Sequence, residues 1–259
     1  MEKILTIAGS DCSGGAGIQA DIKAITAHKM YAMSAITALT SQNTMGVQGV
    51  LEATPEFVAM QLDSIFTDIV PDAVKIGMVS NKNIISTIAD KLIEYDVKKV
   101  VLDPVMVSTS GSKLLAEDAM EMLINKLMPL ATVITPNIPE GECLCGFHIE
   151  TREDMIKAVE KISTFYKGNI LLKGGHLKDC SDDLLYENGQ LTWFNGEKID
   201  NPNTHGTGCT LSSAIACNVA VNSDLKECIK NSKEYITGAL KANLNLGNGS
   251  GPLNHCWKL

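Results

Sequence analysis

Short apolar runs alternate along this chain with longer stretches in which apolar residues recur every three or four positions. The runs are Ile4–Ala8, Ala32–Leu39, Ala73–Ile76, Lys99–Leu102, Thr132–Thr135 and Ile170–Leu172. They have the near-continuous apolar character of strands buried on both faces. The helical stretches are Gly17–His28, Pro55–Ile69, Ala116–Leu127 and Arg152–Phe165. The clearest helix places Ile84, Ile85, Ile88, Ala89, Leu92 and Ile93 on one face. Repeated strand–helix alternation predicts an α/β fold with a parallel sheet covered on both sides.

The rhythm changes after Lys173. Leu184–Tyr186 and Leu191–Phe194 flank Glu187-Asn188-Gly189-Gln190, and Asn-Gly between two β-rich runs predicts a hairpin. Two helices follow, one after Cys209 and one near Asp224–Leu244. No linker, repeat or low-complexity segment divides the chain, which predicts one domain over residues 1–259. In an open parallel sheet, ligands bind beyond the carboxyl ends of the strands. Polar residues gather at those ends: Gly9-Ser10-Asp11, Gly77-Met78, Asp103-Pro104, Thr135-Pro136-Asn137 and Lys173-Gly174-Gly175-His176. One crevice fed by many loops is expected.

Composition narrows the classes. The 259 residues are 45% hydrophobic, enough for a sizeable core, and 30 acidic against 22 basic residues give a net charge of −8. That balance argues against a nucleic-acid or anionic-membrane partner. The apolar N-terminal run Ile4–Ala8 is too short for a signal peptide or a span. Eight cysteines, at 12, 143, 145, 180, 209, 217, 228 and 256, form no Cys-x-x-Cys pair. They are expected to be reduced, mostly in the core, in a cytoplasmic protein.

The stretch Asn203-Thr-His-Gly-Thr-Gly-Cys-Thr-Leu-Ser-Ser-Ala214 is richest in chemistry. Gly206 and Gly208 remove side chains from a turn that runs into a helix, whose buried face is Leu211, Ile215 and Val219. Unpaired N–H groups and the positive end of the dipole make such a helix start an anion site. Cys209 stands at its mouth, where the thiolate is expected to be favoured. An anion cradle beside a proton acceptor suits phosphoryl transfer to a hydroxyl. Taken alone, Gly-x-Gly is more often a tight turn with a small buried cysteine.

A second glycine-rich segment, Gly9-Ser-Asp-Cys-Ser-Gly-Gly-Ala-Gly17, joins a strand to a helix. Its glycines at 9, 14, 15 and 17 fit neither the dinucleotide fingerprint nor a Walker A loop. A loop that brings backbone close to a small substrate and a plain β–α turn remain equal readings.

Together these segments resemble the hydroxymethylpyrimidine/phosphomethylpyrimidine kinases of thiamine biosynthesis. The resemblance runs through Thr6–Asp11, Gly14–Asp21, Ala38–Thr44, Lys75–Met78, Leu102–Met106, Thr135–Glu140, Leu172–His176, Thr204–Thr210 and Gly249–His255. It implies a ribokinase-like three-layer αβα sandwich with a central, mostly parallel sheet. It also implies MgATP as phosphoryl donor and a cytoplasmic homodimer acting on a small molecule. Cys209 would be the base for the substrate hydroxymethyl group, where many sugar kinases of the superfamily carry Asp. Gly206, Thr207 and Gly208 would form the anion hole, and Lys173 would contact ATP phosphates. Asp103, Asn137 and Glu140 would organise ATP, Mg²⁺ and its waters, with Asp103 and Glu140 as the metal carboxylates. Gln42 would read the aminopyrimidine edge, because an amide both donates and accepts. Gly9, Ala16, Met78 and Val105 would line the ring pocket.

The residues themselves permit other roles. Glu140 also suits a helix first turn after Pro139. Asp103 suits a turn before Pro104. Met78 suits core filling, and Lys173 a solvated surface. Cysteine-bearing pyridoxal kinases of the superfamily carry a second Cys where this chain has Ser108, and tend to lack Gln42. Both differences favour the pyrimidine over pyridoxal. A pyridoxal kinase is the nearest rival. A non-catalytic sensor on the same fold would have lost the base, glycines or carboxylates.

Overall fold

A computed structural model describes residues 1–106, 115–175 and 181–258. Ser108 and His176 therefore lie outside the described residues. The strands are β1 (Lys3–Asp11), β2 (Tyr31–Asn43), β3 (Gly46–Glu52), β4 (Ala73–Ile76), β5 (Val100–Leu102), β6 (Val133–Ile134), β7 (Asn169–Leu172), β8 (Asp183–Glu187) and β9 (Gln190–Phe194). They form one sheet in the order β3-β2-β1-β4-β5-β6-β7-β8-β9. The run from β2 to β7 is parallel, and β3, β8 and β9 add antiparallel edges.

The helices are α1 (Gly17–Ala27), α2 (Pro55–Phe66), α3 (Lys82–Glu94), α4 (Glu117–Met122), α5 (Ile138–Cys145), α6 (Arg152–Ser163), α7 (Thr207–Val221) and α8 (Leu225–Lys241). Successive strand residues point to opposite faces, and two cores result. Leu5, Val74, Val100, Leu102, Ile134 and Leu172 pack with α2, α3, α4 and α6. Ile4, Ala73, Val101, Val133 and Leu171 pack with α7 and α8 on the other face, where Ile25 of α1 joins them. The arrangement is the expected α/β sandwich of three layers.

Several boundaries differ from expectation. The predicted helix Ala116–Leu127 becomes α4 followed by a π-helical turn at Leu123–Leu127. Ile93 is 59% exposed rather than on the buried face of α3. The short helix α5 was foreshadowed only by the helix-start reading of Glu140, and β3 was not anticipated. Every residue of β3 is exposed, so no burial period marks it; pairing with β2 defines it. That pairing carries β2 on to Asn43 and places Gln42 on a strand. The cysteines are less uniformly buried than expected: Cys12, Cys143 and Cys256 are exposed.

Candidate functional site

The site forms where α7 begins. Gly206 precedes the helix in the left-handed conformation, φ 82°, which glycine adopts without a Cβ penalty. A Cβ on Gly206 would also run into the Gly15 carbonyl oxygen, so the two glycine-rich loops are packed backbone to backbone. No side chain caps this helix start. A Cβ on Gly208 would lie 3.2 Å from Asp103 Oδ2 and 3.5 Å from Lys173 Nζ. Gly206 is therefore glycine for its backbone angle, and Gly208 for space against the ion pair.

Lys173 Nζ donates to Asp103 Oδ1 at 2.9 Å, and Thr135 Oγ1 donates to the same oxygen at 3.1 Å. Lys173 is largely buried rather than solvated. Burial works to raise the Asp103 carboxyl, but the ammonium groups of Lys173 and Lys75 hold it below the usual range. Glu140 is 2% exposed. Burial pushes its carboxyl up to about 7; Lys173 opposes this and the Asp103 charge adds to it.

Asn137 and Glu140 form a capping box at the start of α5. Glu140 N donates to Asn137 Oδ1 at 2.9 Å, and Asn137 N donates to Glu140 Oε2 at 2.8 Å. The cap engages the Asn137 side-chain carbonyl oxygen. The helix-start reading of Glu140 is thus realised, and burial beside Lys173 and Asp103 accompanies it. Among the described residues no three His, Cys, Asp or Glu side chains converge to hold a metal. Two carboxylate-bearing residues nevertheless suit Mg²⁺, which takes one or two carboxylates and completes its shell with phosphate oxygens and water.

Cys209 is partly exposed. Its thiol does not follow the helix-start expectation. Burial among protein groups pushes it up to about 11, the Lys75 ammonium pulls it down, and the Asp21 and Asp103 charges add to the rise. The Gly17 backbone N–H, a hydrogen-bond partner, favours the thiolate. Desolvation therefore outweighs these favourable contacts, and the free protein holds a protonated thiol at neutral pH.

Beneath the thiol lies a network absent from the sequence-based site. Lys75 and Asp21 are both fully buried, and Lys75 Nζ contacts the Asp21 oxygens at 2.9 and 2.8 Å. Thr6 Oγ1 and Ser213 Oγ donate to the same carboxylate at 2.6 and 2.8 Å. Asp21 follows Gly17 by four residues on α1, and Ser213 follows Cys209 by four on α7. The pair therefore sits one helical turn below the thiol on both helices. A lysine inside the four-residue apolar strand Ala73–Ile76 was the available signal.

At the ends of β1 and β4, a Cβ on Gly9 would lie 2.7 Å from Met78 Cε, so these two share a wall. Met78 is partly exposed, not core filler. The β1–β2 register slips between Ala8 and Ser10, beside Gly9. Asp11, 3% exposed, accepts from Ser13 N, Gly15 N and Ala16 N and so ties the glycine loop to the start of α1. Gln42 lies against His205, 3.3 Å between their Nε2 atoms. Val105 stands next to Asp103, its N–H donating to Asp103 O at 2.9 Å. Asp11 and His205 were not among the expected site residues.

The profile of the family described as phosphomethylpyrimidine kinase matches residues 11–254. The chain belongs to that family. A hydroxymethylpyrimidine/phosphomethylpyrimidine kinase of Streptomyces coelicolor is 43% identical over 99% of this chain and 95% of its own. A bifunctional thiamine-biosynthesis protein of Geobacter sulfurreducens is 47% identical over 97% of this chain, which spans about half (52%) of that relative. The solved phosphomethylpyrimidine kinase of Clostridium difficile superposes with a TM-score of 0.83 at 45% identity, over 92% of this chain and 98% of that one. An ADP complex of a Bacillus subtilis pyridoxal kinase gives 0.92 at 39% identity, over 98% and 97%. The fold is ribokinase-like, and the chain is a kinase of thiamine biosynthesis by family.

Proposed function

We propose that this kinase uses MgATP twice, first on the hydroxymethyl group of 4-amino-5-hydroxymethyl-2-methylpyrimidine, then on the resulting monophosphate to give the diphosphate. One observation carries the reading: the uncapped start of α7 presents Gly208 to Asp103 and Lys173, with Cys209 next in the chain. N–H groups of Gly208 and Cys209 would cradle the transferring phosphoryl group, assisted by Gly206 and Thr207. Lys173 would shift from Asp103 toward the phosphates. Asp103 and Glu140 would hold Mg²⁺ and its waters, and the ion would neutralise phosphate charge. Asn137 would offer its NH₂ to the nucleotide.

Cys209 would accept the hydroxyl proton from its ionised fraction, which Lys75 and Gly17 N–H favour. A loose phosphoryl-transfer transition state asks little of a base until late in the reaction. Gly9, Ala16, Met78, Val105 and Gln42 would hold the ring. The exposed apolar residues Val47, Val50 and Leu51 of β3 support a homodimer. A cytoplasmic location would follow from thiols kept reduced. No helix among the described residues is long and apolar enough to cross a membrane.

The pyridoxal-kinase reading draws on the solved relative of B. subtilis; Gln42 and Ser108 weigh against it. Steady-state ATP turnover with the pyrimidine and with pyridoxal decides between them. The expected result is a higher kcat/KM for the pyrimidine. Turnover with pyridoxal alone would replace this reading with the rival, and turnover with neither would leave a sensor.

A further inference from the structure

His205 links three parts of the site. Its Nε2 lies 2.8 Å from Asp11 Oδ2 and 3.3 Å from Gln42 Nε2, and its backbone N–H donates to Gly251 O at 3.1 Å. The next residue, Gly206, packs on the Gly15 carbonyl. Burial works to raise the Asp11 carboxyl, but bonds from His205 and Ser13 hold it well below the usual carboxylate range.

An ionised carboxylate only accepts, so His205 Nε2 must carry the proton and donate to Asp11. The same nitrogen then has no lone pair for a Gln42 N–H. Amide oxygen and nitrogen are assigned from the bonds they make. One assignment is compatible with a protonated His205 Nε2. Gln42 Oε1 then shares the Nε2–H with Asp11 Oδ2 in a bifurcated bond, the shorter arm going to Asp11, and the Gln42 NH₂ faces Thr40 Oγ1. Thr40 can accept there, because its own proton goes to Ser10 O at 2.9 Å.

We propose that His205, anchored on Asp11, is a positioning residue that fixes which way round the Gln42 amide faces and thereby sets substrate preference. A fixed amide offers acceptor and donor in one order. An aminopyrimidine can meet it only with its amine toward Oε1 and its ring nitrogen toward Nε2–H. A ring lacking that adjacent donor–acceptor pair gains nothing from the order. The proposal rests on the reading that Gln42 contacts the ring.

The test compares His205→Leu, His205→Gln, Gln42→Met and the Leu/Met double variant, with circular dichroism to confirm folding and steady-state kinetics on the pyrimidine and pyridoxal. Losing the orienting bond is expected to raise KM for the pyrimidine about 5- to 150-fold in His205→Leu, with a smaller change in kcat and little change for pyridoxal. His205→Gln, whose NH₂ reaches toward the place of the imidazole N–H, should recover most of the preference. In the double variant, His205→Leu should add nothing to Gln42→Met, because both act through one amide. Equal losses on both substrates, or full additivity in the double variant, would overturn the proposal and leave His205 as a loop tether. If the wild type prefers pyridoxal, the substrate reading fails instead. The additivity measured on pyridoxal KM then still decides whether His205 acts through Gln42.

Discussion

Helices α5 and α7 both begin near Asp103 and Lys173, and they treat their first turns in opposite ways. Helix α5 closes its own: Asn137 and Glu140 cap each other's N–H groups and Pro139 has none to cap. Helix α7 leaves its start uncapped behind left-handed Gly206. The same four N–H groups are orphaned by geometry at any helix start. A side chain that answers them makes a scaffold, and glycine that does not leaves them open, as the proposed phosphate cradle requires. Glu140 shows that the two can meet, since its carboxylate caps α5 while standing beside Lys173 and Asp103.

The largest test of this contrast is Gly208→Val. Its branched side chain would enter the space now bounded by Asp103 Oδ2 at 3.2 Å and Lys173 Nζ at 3.5 Å. Kinase activity is expected to fall below detection. Far-UV circular dichroism should stay near wild type, because Leu211, Ile215 and Val219 still bury the helix. Full activity in a folded Gly208→Val protein would remove α7 from the chemistry.

Next is Cys209→Ala, expected to lower kcat by about 10²–10⁴-fold with ATP affinity retained. In the wild type, a thiol pushed up to about 11 is scarcely ionised at neutral pH. The free-protein profile, kcat/KM against pH, should therefore climb from about pH 7 to about pH 9. A plateau already reached at pH 7 would mean that the helix start outweighs burial after all.

Glu140→Gln separates the two duties of that residue. Its carboxyl, raised to about 7, holds a proton in the folded protein at pH values where the unfolded chain has lost it. Wild-type stability without Mg²⁺ should therefore fall as pH rises from the ordinary carboxylate range through 7. The variant should lack that slope and be more stable at about pH 8, by on the order of 1–3 kcal/mol. Its apparent Mg²⁺ requirement should rise about 10- to 100-fold. Denaturant melts across pH and Mg²⁺ titrations of turnover measure both. An unchanged Mg²⁺ requirement would leave Glu140 as a cap alone.

The smallest expected effect is Asn137→Ala. Loss of the N-cap should cost about 1 kcal/mol of stability by urea denaturation. A modest rise in KM for ATP would come from the missing NH₂. A collapse of kcat instead would place Asn137 in the chemistry rather than in the scaffold.

Much of this was legible in the chain alone. Ala73–Ile76 and the Asn188-Gly189 hairpin could be read because burial and turn chemistry imprint local patterns. The glycine turn into α7 was readable because glycines before a helix start are a local signal too. Strand β3 left no such imprint, since an exposed edge strand is defined by its partner's hydrogen bonds. What the tertiary structure alone decided were relations between distant residues: Gly206 seated on Gly15, Lys75 on Asp21, and His205 between Asp11 and Gln42. It also reversed the expectation for Cys209. The sequence locates a thiol at a helix start, but its ionisation depends on how much water and which charges the fold leaves around it, and those charges come from β4, α1 and the residue after β5.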